Sequence, residues 1–231
     1  ALLPCVASSY TAAYCAGLLG TQPMAFLLEG QPALGPVPAL QVLGLGALCG
    51  LLGMAFCAAL HGSGKLLARL LPNPYLRIAA GGLAVAVAAP LFNLYDYTGA
   101  GSHMIGAAVG GSAPPIAFLL KLLFTALCVG AGFRGGEIVP TLFIGSTFGC
   151  VVGPLLGLDP GFAAAVGLAA LFCSVANCPL AAVSLAAELF APGDLSLFVM
   201  AIAVAYVLSG YSSLYSSQRI LFSKLRQEER A

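Results

Sequence analysis

The sequence predicts an all-α, polytopic membrane protein whose helices are interrupted. Three observations carry this. Of 231 residues, 60% are hydrophobic and only 7% charged, where an ordinary soluble domain carries about a quarter charged residues. Mean hydropathy is +1.01, and a soluble fold needs a polar exterior that this composition cannot supply. The apolar runs lack the two-residue alternation of outer-membrane barrel strands. Finally, 29 glycines and 15 prolines cut several runs to about 12–15 residues, short of the ~20 that a full span uses. Such interrupted helices mark channels and transporters, because irregular backbone survives at membrane depth only where it lines a cavity or is buried in protein.

Taken in order, the chain holds roughly nine helical segments. Residues 2–19 read as a first helix. Pro23, Pro32, Pro36 and Pro38 break the stretch after it. Residues 39–60 read as a long helix, in which Gly44, Gly46, Gly50 and Gly53 let neighbouring backbones approach. Residues 61–74 read as a basic loop and 75–92 as the next helix. The glycine-rich stretch 95–115 is too broken for one span and fits a short helix over 102–109 between loops. Residues 116–130 are apolar around a single lysine, Lys121. A helix over 138–156 follows, then three short ones over 161–174, 179–190 and 195–209.

Net charge is +1, so composition gives no reason to expect a nucleic-acid partner. Seven of the nine basic residues fall in two places: Lys65, Arg69 and Arg77, then Arg219, Lys224, Arg226 and Arg230. The positive-inside rule puts both regions, and with them the C-terminus, on the cytoplasmic side. The eight cysteines are scattered without a CxxC and read as small apolar fillers. His61 and His103 lie far apart with no partner at ligand spacing, so neither a metal nor another cofactor is expected. No Ser/His, Asp/Asp or metal constellation suggests an enzyme. Ala1 opens directly into an apolar stretch with no charged leader; the expectation is a fragment whose N-terminal part is absent.

The most informative stretch is Gly132-Phe133-Arg134-Gly135-Gly136-Glu137-Ile138-Val139-Pro140. Paired glycines break the chain, and Pro140 sits in the first turn of the next helix, where its missing N–H costs nothing. The free amides of that turn, around Gly136, Glu137, Ile138 and Val139, carry roughly half a positive charge and suit an anion. Gly145 and Gly149 continue with a GxxxG step fit for tight packing.

Gly135-Gly136-x-x-x-Pro140 with Gly145 and Gly149 resembles the anion-site motif of the CLC chloride channels and proton-coupled transporters, in the second of their two inverted repeats. Three stretches agree in order and spacing: Asn177-Cys178-Pro179-Leu180 running on to Glu188-Leu189, Leu214-Tyr215-Ser216 before a terminal basic helix, and Gly99-Ala100-Gly101 before the short helix. The resemblance covers residues 1–231 as one transmembrane region, the end of the first repeat plus the second. The first repeat's anion loop and gating glutamate are not found, and Gly62-Ser63-Gly64 is rejected as that loop because Lys65 follows in a basic segment. Glu137 after the two glycines resembles the bacterial fluoride-exporting branch, which exchanges fluoride for protons; Val139 stands where that branch carries Thr.

The resemblance implies halide transport, with fluoride/proton antiport favoured and a chloride channel or chloride/proton exchanger as the alternative. A non-transporting membrane assembly subunit is the alternative from another class. The implied anion contacts are Gly136, Glu137, Ile138, Val139 and the Tyr215 hydroxyl, with Glu137 also carrying the proton. The implied partners are a halide (fluoride or chloride), protons, membrane lipid and a second copy of the chain, meeting through residues 2–19 and 179–209. The implied location is the inner membrane of a bacterium, multi-pass. A membrane-depth carboxyl is a functional candidate by default; the plainer reading of Glu137 is a structural pair with Arg134. Tyr211 reads as an interfacial anchor, Glu188 as a structural partner, Asp96 and Tyr97 as loop caps, and His103 as a polar helix start. Lys121 reads as a snorkelling or paired lysine, Ser146 and Thr147 as bonding back to their own helix, and Phe143 and Phe148 as core.

Overall fold

A computed structural model of the chain describes residues 2–21, 25–28, 30–191, 193–215 and 218. Among them the secondary structure is helical, with no strand. The α-helices are α1 (Leu2–Leu18), α2 (Pro36–Leu70), α3 (Pro74–Leu91), α4 (Ser102–Val109), α5 (Ala117–Ala131), α6 (Ile138–Val152), α7 (Pro160–Ala176), α8 (Pro179–Phe190) and α9 (Ser196–Leu208). Short 3-10 turns cover Tyr95–Tyr97 and Gly153–Leu156. Proline opens α2, α3, α7 and α8, using the one position where its lost N–H is free.

The core forms around α7. Asp159 caps it, its Oδ1 accepting the Phe162 N–H at 2.9 Å, and Asn177 ends it in the left-handed region at φ 55°. Between these ends it is buried on every side, from Gly161 to Leu171 and on to Ala176 apart from the half-buried Phe172. A helix apolar all round belongs inside a bundle, and α2, α4, α6, α8 and α9 pack around this one. The GxxxG step sets the tightest of these contacts. A Cβ on Gly149 would stand 2.1 Å from the Ala163 carbonyl oxygen, and one on Gly145 would stand 2.7 Å from that of Gly167.

Three helical stretches are long and apolar enough to cross a membrane: Pro36–Leu70, Pro74–Leu91 and Ile138–Leu156. The remaining packed helices are shorter, as the interrupted pattern predicted. By contrast residues 3–18 of α1 are exposed except at Ala16, and α3 buries only Gly81 and Ala89. Cys49, Cys57, Cys150 and Cys173 fill helix contacts, whereas Cys5, Cys15 and Cys178 are exposed.

One expectation is corrected. Residues 61–70 are not a loop but the last turns of α2. The helix runs past Gly62 and Gly64 because its neighbours hold it. The single Ser63 hydroxyl hydrogen is shared between the Leu60 carbonyl, at 2.9 Å from Oγ, and that of Ala126 in α5, at 2.7 Å. Pro72 and Pro74 then stop the helix. The terminal basic helix, with Arg219, Lys224, Arg226, Arg230 and Ser216, lies outside the described residues.

A broken helix over a cavity as candidate anion site

The break between α5 and α6 is built locally. Gly132 closes α5 at φ 105°, a left-handed angle that favours glycine. Its N–H and that of Phe133 bond back to Val129 and Cys128, at 3.0 and 3.1 Å. Arg77 Nε, at the start of α3, donates to the carbonyl of the buried Ala131 at 3.3 Å, a cation on a helix C-terminus. Residues 133–136 run without helix, and α6 begins at Ile138. Its first internal N–H bond is from Thr141 to the Glu137 carbonyl at 3.2 Å, where the Thr141 hydroxyl also donates at 2.8 Å. The Ile138 and Val139 amides precede that bond and, in an α-helix, have no internal acceptor.

The segment that leads into this turn borders open space. Gly135, Gly136, Val139 and Pro140 line a cavity of about 380 Å³ whose opposite wall includes Tyr97, Gly99, Lys121 and Thr125. A Cβ on Gly135 or Gly136 would meet nothing within 4 Å. Packing within the described residues therefore does not demand glycine there; the pair leaves the helix end open to whatever approaches it. A neighbouring cavity of about 430 Å³ is lined by Arg77, Arg134 and Glu137 and shares Gly135 with the first.

The expected contacts are thus brought together in part. Gly136 and Val139 line the main cavity, and Glu137 lines the adjoining one. Ile138 lines neither, and its side chain is partly exposed. Tyr215 sits elsewhere. The segment after α9 returns to the C-terminal end of α7, where Leu214 N–H donates to Val175 and Asn177 Nδ2 donates to Ser212. There Tyr215 lines a separate cavity of about 310 Å³ with Tyr211, His61 and Gln218. Tyr211, read from sequence as an anchor, belongs to this lining.

Glu137 and Arg134 do not pair. Among the described residues the ion pair is His103 Nε2 with Asp96 Oδ1, at 3.0 Å on the surface, so Asp96 and His103 clip the start of α4. Glu188 is exposed on α8. Ser146 and Thr147 bond back to Phe143, and Phe143 is fully buried. Phe148 is half-buried and meets Phe118 edge-on at 5.2 Å.

Lys121 is the site residue that sequence reasoning undervalued. It does not snorkel. Only 3% exposed, its Nζ donates to the Tyr97 carbonyl at 3.1 Å and to that of Gly99. It lies 5.1 Å from the centre of the Phe143 ring, within cation–π range. The signal available was a charge at membrane depth; the partners, 22 and 24 residues away in sequence, were not readable.

The site thus combines membrane-length helical stretches with a helix broken beside a cavity that Lys121 also lines. The chain belongs to the voltage-gated chloride channel family, whose profile, described as voltage gated chloride channel, matches residues 1–210. A chloride/fluoride channel protein of Pseudomonas syringae pv. tomato is 33% identical over 97% of this chain and 51% of its own length. The H(+)/Cl(-) exchange transporter ClcA of Vibrio cholerae is 31% identical over 66% of this chain and 36% of its own. The crystal structure of a CLC-type fluoride/proton antiporter matches with a TM-score of 0.88 and 32% identity, over 93% of this chain and 55% of that one. A slow cyanobacterial Cl-/H+ antiporter shares the fold at a TM-score of 0.68. The chain spans about half the length of the first two-thirds-covering relatives it matches.

Proposed function

We propose that the chain forms the second-repeat part of a halide pathway in a bacterial inner membrane, and that the pathway exchanges fluoride for protons. The observation that carries this is the α6 end, whose first-turn residues Val139 and Pro140 line a cavity together with the paired glycines Gly135 and Gly136. Amides and a hydroxyl can replace water around a small anion, and the helix end favours negative charge. In this reading Gly136, Glu137, Ile138 and Val139 supply the main-chain contacts. Tyr215, in its own cavity, supplies a hydroxyl at a second point along the path.

Glu137 carries the proton. It adjoins the anion cavity without an ion-pair partner among the described residues, as a group that exchanges a proton requires. The fluoride preference is supported by Gly135-Gly136-Glu137 and by the printed functions of two relatives. Chloride exchange is the second reading, favoured by Val139 in place of threonine and by the chloride/proton exchangers among the relatives. We further propose a homodimer whose partner covers α1, with Tyr10 and Tyr14 77% and 71% exposed, and a cytoplasmic C-terminus.

The test is anion and proton flux by the gene product in liposomes. Fluoride efflux coupled to proton entry supports antiport. Uncoupled halide efflux points to a channel, and no anion flux to an assembly subunit.

A further inference from the structure

Resting on the halide reading, we propose that Lys121 is the resident counter-charge of the transported anion, forming one binding station with the open end of α6. The ammonium has three N–H donors and no acceptor capacity. Two donors are taken by the Tyr97 and Gly99 carbonyls; the third has no acceptor among the described residues. No carboxylate lies within 4.0 Å of it there, since the sole ion pair is His103 with Asp96. A buried charge left without an opposite charge is strongly disfavoured unless something supplies one. Lys121, Gly136 and Val139 line one cavity, and we place the anion in it.

The surroundings prepare the ammonium for this work. The two carbonyls hold it from one side, and the fully buried Phe143 ring supports it at 5.1 Å. Thr125 Oγ1 donates to the main-chain carbonyl of Lys121 at 2.7 Å, so its hydrogen does not compete for the anion. The cation is held before the ion arrives, and little reorganisation is needed on binding. A compact ammonium beside main-chain amides suits a small monovalent anion without selecting a planar one, which a guanidinium fork would.

The alternative role is purely structural: Lys121 staples the Tyr95–Tyr97 turn to α5. Lys121→Gln separates the two, because it keeps N–H donors on the side of the carbonyls while the charge is gone. Lys121→Met removes both, and Lys121→Arg keeps the charge. Fluoride efflux by the gene product in liposomes is measured against internal fluoride concentration. Both neutral variants should raise the half-saturating concentration about tenfold or more, and Lys121→Arg should leave it near the wild-type value. Unchanged half-saturation in Lys121→Gln, with or without a lower maximal rate, overturns the proposal. Absence of wild-type efflux overturns the halide reading itself, a distinguishable result.

A second measurement needs no neutral variant. In detergent-solubilised protein carrying ¹⁵N-lysine, the Lys121 Nζ resonance is assigned by its loss in Lys121→Arg. Titrated fluoride should move it, at a concentration that matches half-saturation of efflux. A resonance that does not move contradicts a contact between ammonium and anion.

Discussion

At the residue scale, the paired glycines separate packing from function. A Cβ on Gly149 would collide with the main chain of Ala163, whereas one on Gly136 would meet open space. Gly149→Ala should therefore lower stability by roughly 1–3 kcal/mol, read as an earlier thermal unfolding midpoint in detergent. Gly136→Ala should leave that midpoint in place and reduce fluoride efflux, because the methyl group stands where the ion approaches the amides. Equal losses of stability in the two variants would remove the distinction. Glu137→Gln keeps the size of the side chain and removes the ionisation. It should abolish proton movement while the protein stays folded; if coupling persists, Glu137 is structural. Val139→Thr restores the fluoride-branch pattern and should raise fluoride flux relative to chloride.

At the scale of elements, what was legible followed local chemistry. The short helix Ser102–Val109 and the helix Pro179–Phe190 lie where glycine and proline punctuation put them. The break at Gly132–Gly136 and the start of α6 were readable for the same reason. What was not legible depends on partners far along the chain. Gly62 and Gly64 suggested a loop, but the Ser63 hydroxyl reaches Ala126, 63 residues later. Removing that hydroxyl in Ser63→Ala should cost about 1 kcal/mol and loosen the end of α2, visible as faster amide exchange over 61–70. The surroundings of Lys121 were likewise unreadable, since they come from the Tyr95–Tyr97 turn, and Tyr215, expected beside the α6 end, lines a separate cavity with residues of α2. One surface turn titrates. Asp194 accepts hydrogen bonds from Ser196 at the start of α9, which hold its carboxyl below the usual carboxylate value. Its support for α9 is complete above the unfolded value and is lost as pH falls through the lowered one.

At the scale of the molecule, α7 is enclosed while α1 is bare. Exposed Tyr10, Tyr14 and Leu180, at 71–82%, are consistent with faces turned to lipid or to a second copy. If α1 lies at a dimer contact, a short bismaleimide should join two copies through the exposed Cys15 when Cys5 and Cys178, also exposed, are replaced by Ser, and adding Cys15→Ser should lose the doubled band. The cavity by α6 and the one by Tyr215 are separate; in the proposed reading an ion passing both would meet amides at one station and a hydroxyl at the other. The proposed exchange depends on the first of these stations and on the Glu137 carboxyl beside it. Its most direct test is simultaneous recording of fluoride and pH outside fluoride-loaded liposomes containing the gene product. The account predicts fluoride efflux with alkalinisation of the medium as protons enter, and loss of the alkalinisation in Glu137→Gln. Fluoride release no faster than from protein-free vesicles, or release with no pH change in the wild type, would contradict it.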